Sequence, residues 1–128
     1  GKEWIQSKLQ AGVDILLDIE TIGAKNVRRE IPDAIMIFLL PPGADALAQR
    51  LRGRGKDSDD QIRMRLDYAK HEMEEFTHYD FLIVNDDLET AYRQLESVIL
   101  ATRCRRERMI PAALRILESF PGDTGENP

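Results

Sequence analysis

The side chains best placed for chemistry fall in three stretches. The first holds two carboxylates one residue apart, Asp18 and Glu20, where the apolar run Val13 to Ile19 ends. Side chains on an extended chain alternate with period two, so these carboxylates point the same way. Either Asp18 organises a metal or its water shell while Glu20 accepts from a donor on a ligand, or both stay solvated and cap the next helix. Spacing leaves both readings open. The second stretch is Asn85, Asp86 and Asp87, directly after the apolar run Phe81 to Val84. The third is basic: "RLRGRGKDSDDQIRMR" gathers Arg50, Arg52, Arg54, Lys56, Arg63 and Arg65 within a chain of formal net charge -5. A guanidinium is planar, permanently charged and bidentate, which suits phosphate. Gly53 and Gly55 permit a sharp turn and can act as hinges. Arg65 lies beside Leu66 and Ala69 at the edge of an apolar stripe, where its stem covers the core or its head reaches a cleft. A solvated charged face is the alternative to a phosphate clamp.

Other candidates carry less. His71 and His78 have no partner at metal-ligand spacing. Arg103, Arg105, Arg106 and Arg108 fall near a helix end, where cations complement the macrodipole; no aromatic residue interleaves them as a nucleic-acid platform would require. Met64, Met73 and Met109 read as packing residues. Cys104 is the single cysteine, which excludes an internal disulfide and a cysteine-rich zinc site. It reads as buried, and a reduced cytosolic compartment is the default. The acidic balance gives no general attraction to nucleic acid or to an anionic membrane. No apolar run is long enough to span a bilayer, and no secretory signal opens the chain.

The elements that must hold these residues are legible in outline. Val13 to Ile19, Ala34 to Leu40 and Phe81 to Val84 are nearly continuously apolar and read as buried parallel strands, covered on both faces. Helices separate them, which predicts an α/β layer architecture. The first helix carries Trp4, Ile5 and Leu9 and ends at Gly12, placed for a left-handed cap. Ser58 with Gln61 forms a capping-box signature, followed by a stripe of Ile62, Leu66, Ala69, Met73 and Phe76. Another helix starts near Asp86, with Leu88, Tyr92, Leu95 and Ile99 on one face. A short helix is expected around Ala112 to Leu117, then a disordered polar tail, 122–128. With 128 residues and 42% apolar content, the chain is one domain or a large piece of one.

In this order the blocks "VDILLDIETIGAKNVRREIPDAIMIFLLPP", "LAQRLRGRGKDSDDQIRMRLDYAKHEM" and "YDFLIVNDDLETAYRQL" resemble guanylate kinases, from about Lys2 to Arg108. The resemblance implies a P-loop nucleoside monophosphate kinase fold: a parallel sheet with helices on both faces and a helical lid. It divides the chain into a partial kinase core over 1–42, the lid over 43–78, and a core strand with C-terminal helices over 79–121. It implies ATP and GMP as substrates and Mg²⁺ as the cation accompanying ATP, in the cytoplasm. Arg54 and Arg65 would then be lid arginines closing over the phosphates and stabilising the transferring group. Asp18 would stand near the metal, acting through water; Glu20 would accept from guanine; Asn85 would lie beside adenine.

The sequence departs from the family pattern in several places. Ile22 stands where a Gln usually precedes the glycine of the first turn. Gly43 follows the proline pair in place of a hydroxyl residue, losing one helix cap. No GxxxxGK[ST] occurs, and the segment bearing the GMP-phosphate arginines and tyrosine is not found, so the fold is expected to be truncated at its N-terminus. Without that loop's N–H cradle and lysine, these residues alone are expected to have little or no kinase activity. The strand belonging to the loop would lie between the first two strands here. Its absence predicts an open slot or direct pairing of those strands, and hence self-association or a covering segment from a longer protein. The alternative to an enzyme is a guanylate-kinase-like binding module without chemistry.

Overall fold

Helix start and stop signals account for most of the element boundaries in the computed structural model, which describes residues 1–55 and 57–122. Lys56 of the basic run and residues 123–128 of the expected disordered tail lie outside the described residues. Two compact units are present, Gly1–Asn85 and a second that begins at Asp86. The first contains α1 (Lys2–Gln10), α2 (Thr21–Glu30), β1 (Ile37–Leu40), α3 (Ala44–Gly53), α4 (Asp59–Met73), a 3₁₀ helix (Glu74–His78) and β2 (Phe81–Val84). The second contains α5 (Leu88–Arg103) and α6 (Arg106–Glu118). No helix among the described residues is long and apolar enough to cross a membrane.

Local chemistry explains where these helices stop and start. Gly12 takes φ +81° and closes α1, its own N–H reaching Leu9 O while Val13 N reaches Lys8 O, each at 3.0 Å. That pair of bonds satisfies carbonyls the last turn would otherwise leave open. The capping box of α4 forms reciprocally: Gln61 N donates to Ser58 Oγ at 3.2 Å, and Ser58 N donates to Gln61 Oε1 at 2.8 Å. At α3 the N-cap is Gly43, which supplies no side-chain bond. The N-cap of α5 is Asp87 rather than the expected Asp86; its Oδ2 accepts from Thr90 N at 3.1 Å and Thr90 Oγ1 at 2.7 Å.

The sheet is parallel and has two strands among the described residues, in register Ile37↔Phe81 to Leu40↔Val84. Asp80 locks the start of the ladder, its Oδ2 accepting from Met36 N at 2.8 Å while its own N–H returns to Met36 O at 2.8 Å. At the far end Asn85 N donates to Leu40 O at 2.7 Å. The strand expected over Val13 to Ile19 is not formed, and the one expected from Ala34 begins at Ile37. A strand exists only through a ladder, and among the described residues the ladder joins β1 and β2 alone. Nor do the first two apolar runs pair directly with each other. The expected burial on both faces also fails: Ile83 is 3% exposed, but Leu82 and Val84, opposite it by the period of two, are 46% and 50% exposed.

One face of α2 makes polar contacts along the end of α4 and the 3₁₀ helix. Thr21, Lys25 and Arg28, spaced as one helical stripe, meet Glu72, Glu75 and His78 in that order. The contacts are Thr21 Oγ1 to Glu72 Oε2 at 3.3 Å, Lys25 Nζ to Glu75 at 3.1 Å and Arg28 Nη1 to His78 O at 3.3 Å. The pairing order makes α2 run alongside the end of α4 and the 3₁₀ helix in the same direction. Arg28 also lies over the Tyr79 ring, which stacks on Phe38 of β1 with centroids 4.4 Å apart. Burial pushes the Tyr79 phenol pKa up despite the Arg28 charge.

Several packing expectations are corrected. Leu88, Tyr92, Met64 and Met109 are exposed, and α5 instead buries Ala91, with Leu95, Val98 and Ile99 half-buried. Cys104 is exposed because it caps α5 in the turn before α6, off any covered face. The last helix is longer than expected and runs through Pro111, which has no N–H to donate to the preceding turn. Arg106 and Arg108 therefore open α6, the unfavourable end for cations; of the four clustered arginines Arg103 alone sits in a last turn.

Gly55 takes φ +66°, a conformation that strains any residue bearing a Cβ, although the space around it is open. Gly55→Ala is expected to cost about 1–2 kcal/mol in urea unfolding. The two Thr90 hydrogen bonds hold the Asp87 pKa below its ordinary value. That contribution is complete above the unfolded carboxylate's pKa and is lost as pH falls through the lower folded value. Asp87→Ser, which caps without titrating, should flatten this acid dependence of amide protection at the start of α5.

Candidate functional site

The basic residues are presented by two packed helices. Ala48 and Leu51 of α3 and Ile62 of α4 form a buried cluster, with Leu47 and Leu66 packed against it. Buried apolar residues at these positions turn the rest of each helix outward. Arg54 is the C-cap residue of α3 and is exposed; Arg65 follows one turn after Ile62, next to Leu66. Gly55 then bends the chain, its N–H returning to Arg52 O at 2.9 Å.

Arg65 is half exposed, with its side chain at 52%, and its Nε lies 3.6 Å from Asp57 Oδ2. The Asp57 side chain is only 10% exposed. Sequence reading missed Asp57, which looked like one more surface acid; its place just before a capping box and between arginines was the available signal. Arg50 was noted only as part of the cluster. It donates from Nη2 to the backbone carbonyl of Asn85 at 2.8 Å, tying α3 to the end of β2. Arg54 comes one turn later on the same side of α3. The structure thus brings Arg50 and Asn85 together at one end of the sheet, where β1 and β2 finish side by side, and among the described residues shows no contact of Arg54 with either. Asp87 is not part of that grouping, being engaged as a cap.

Asp18 and Glu20 lie in the segment leading into α2, and both are exposed. Glu20 occupies the N-cap position of α2, with φ -76° and ψ 169°, yet its carboxylate makes no capping bond. Its backbone carbonyl accepts from Ala24 N at 2.8 Å. No hydrogen bond or ion pair joins Asp18 or Glu20 to Arg54, Arg65 or Asn85 among the described residues. Their relation to Arg65 follows from α4 instead. Thr21, next to Glu20, touches Glu72, and Glu72 lies seven residues beyond Arg65 on the same helical face. At 1.5 Å per residue the two positions are about 10 Å apart along the axis. The start of α2 therefore lies against α4 about two turns beyond Arg65.

The donor set includes no group of three or more His, Cys, Asp or Glu able to enclose a metal among the described residues. Asp18 offers one accessible hard oxygen donor. That fits Mg²⁺, which keeps most of its waters and takes few protein ligands when phosphates share it.

Residues 2–102 match the family described as guanylate kinase. The chain is 48% identical over 104 residues to the guanylate kinase of Photorhabdus laumondii subsp. laumondii, covering 81% of this chain and 50% of that protein. It is 43% identical over 117 residues to the guanylate kinase of Neisseria gonorrhoeae, covering 91% and 57%. The crystal structure of guanylate kinase from Anaplasma phagocytophilum aligns with a TM-score of 0.73 at 23% identity, over 93% of this chain and 57% of that one. This last likeness speaks for the fold. The chain therefore spans about half the length of the curated relatives it matches.

The Arg50 bond is exposed, so its net value is modest. Arg50→Met should lower stability by about 0.5–1 kcal/mol and speed amide exchange at Asn85 and the end of β2. Exchange unchanged at the strand end would show that Arg50 does not anchor α3 there.

Proposed function

The chain belongs to the guanylate kinase family, and on that premise we propose that it forms the lid and strand-end portion of an ATP-dependent kinase converting GMP to GDP. Phosphoryl transfer asks a protein for positioning and for charge stabilisation around the moving group more than for covalent chemistry. Arg54 and Arg65 supply the positive charge, closing over the phosphates from the α3–α4 helix pair. Asn85, at the end of β2, borders the adenine. Glu20, free of capping duty, accepts from the guanine amino or imino hydrogens. Asp18 orients water around Mg²⁺; when bound with ATP, that ion offsets charge on the phosphate oxygens.

The observation supporting this reading most directly is the Arg65 side chain. It is half exposed on the α4 face that leads to the start of α2, with Asp57 against one edge of its guanidinium. A surface arginine of the ordinary kind has no need of a buried carboxylate. The 128 residues contain no GxxxxGK[ST], so the reaction takes its phosphate cradle from outside them. The compartment is the cytoplasm, where an unpaired exposed thiol such as Cys104 stays reduced.

Ile22 supports a second reading, a binding module without turnover. It stands where the family pattern has a polar residue, and it is 70% exposed. The two readings separate by assay of a polypeptide that includes the phosphate loop, with ATP and GMP as substrates. Formation of ADP and GDP is expected. Arg54→Ala and Arg65→Ala should each lower kcat on the order of 10²-fold or more, while KM for GMP changes less than about tenfold. Full turnover in both variants would remove the clamp assignment, and GMP binding without any turnover in the parent would favour the module.

A further inference from the structure

Asp57 is placed where a solvated acid has no reason to be. Its side chain is nine-tenths buried, and Oδ2 is fully buried without accepting a hydrogen bond among the described residues. A charge taken out of water needs a compensating partner. The ion-pair partner is Arg65, whose Nε lies 3.6 Å away. Both groups are held from behind. Asp57 immediately precedes Ser58, whose capping box pins the chain, and Arg65 stands between Ile62 and Leu66 of the packed face. Helical side chains lean toward the N-terminus of their helix, so Arg65 reaches back toward Asp57 rather than away from it.

The contact atom decides what the pair can do. Arginine offers donors along a side edge that includes Nε and along an end edge made by its two terminal nitrogens. Approach at Nε leaves the end edge, the one suited to a bidentate phosphate, directed away from Asp57. We infer that Asp57 is a positioning residue, holding Arg65 by Nε so that its terminal nitrogens meet the phosphoryl group being transferred. This rests on the kinase reading of Arg65 and adds a residue to it.

The test uses Asp57→Asn, which keeps the shape and removes the charge, in the ATP- and GMP-competent polypeptide. Losing the orientation of Arg65 should lower kcat by about 10- to 100-fold while leaving KM for GMP within about twofold. In an Arg65→Ala background the same substitution should change kcat by less than about twofold, since the group it orients is gone. On this chain itself, the Arg65 Nε–H resonance should be protected from solvent exchange and lose that protection in Asp57→Asn. A slow Arg65→Ala enzyme in which Asp57→Asn still takes its full, additive toll overturns the positioning role and leaves the clamp standing. Tighter ATP binding by Asp57→Asn also overturns it, because Asp57 would then compete with the phosphates. Undiminished turnover in Arg65→Ala removes the clamp reading and this inference together.

Discussion

The contact between α3 and α4 is the constraint on which the candidate site depends. Leu51 and Ile62 are buried there with Ala48, and burying a large aliphatic side chain contributes about 1.5–3 kcal/mol. The exposed ion pair of the same helix, Arg63 with Asp60 at 4.0 Å, contributes at most about 1 kcal/mol. Apolar packing therefore sets the relative placement of the helices, and the charges follow. With Ile62 and Leu66 turned inward, Arg65 is forced to the margin of the packed face. With Ala48 and Leu51 turned inward, Arg50 and Arg54 share another side of α3. The intervening turn needs a left-handed backbone at Gly55 to bring the two helices back against each other.

A second set of contacts links this helix pair to the rest of the first unit. Arg50 binds the Asn85 carbonyl, and the stripe Thr21, Lys25 and Arg28 binds the end of α4 and the 3₁₀ helix. These are polar bonds at partly or fully exposed positions, individually weak and exchangeable with water. A strong core inside the helix pair and weak polar ties around it favour movement of the pair as a body. The clamp proposed for Arg54 and Arg65 would draw on that division of strengths.

The electrostatics divide in the same way. Most charged groups are solvated and pair loosely, such as Arg105 with Glu107. Asp57 is the exception, because burial removes the screening that makes surface pairs ineffectual. Asp18 and Glu20 are exposed, and neither carboxylate is tied to Arg54, Arg65 or Asn85 among the described residues. They are accessible to a ligand for the same reason that they contribute little to the fold.

Much of this was written locally in the chain. The left-handed cap at Gly12, the capping box of Ser58 and Gln61 and the uncapped α3 after Gly43 depend on neighbours a few residues away, and the sequence specified each of them. The order of its motifs was enough to point to the family. Tertiary structure decided the remainder. Val13 to Ile19 has the composition of a strand, but a ladder needs a second chain segment, and composition cannot provide one. Leu88 and Tyr92 fit a helical period as well as Ala91 does, yet only packing selects which stripe is covered. Asp57 and Arg50 acquired their partners across a turn and across 35 residues, distances over which periodicity and propensity carry no information.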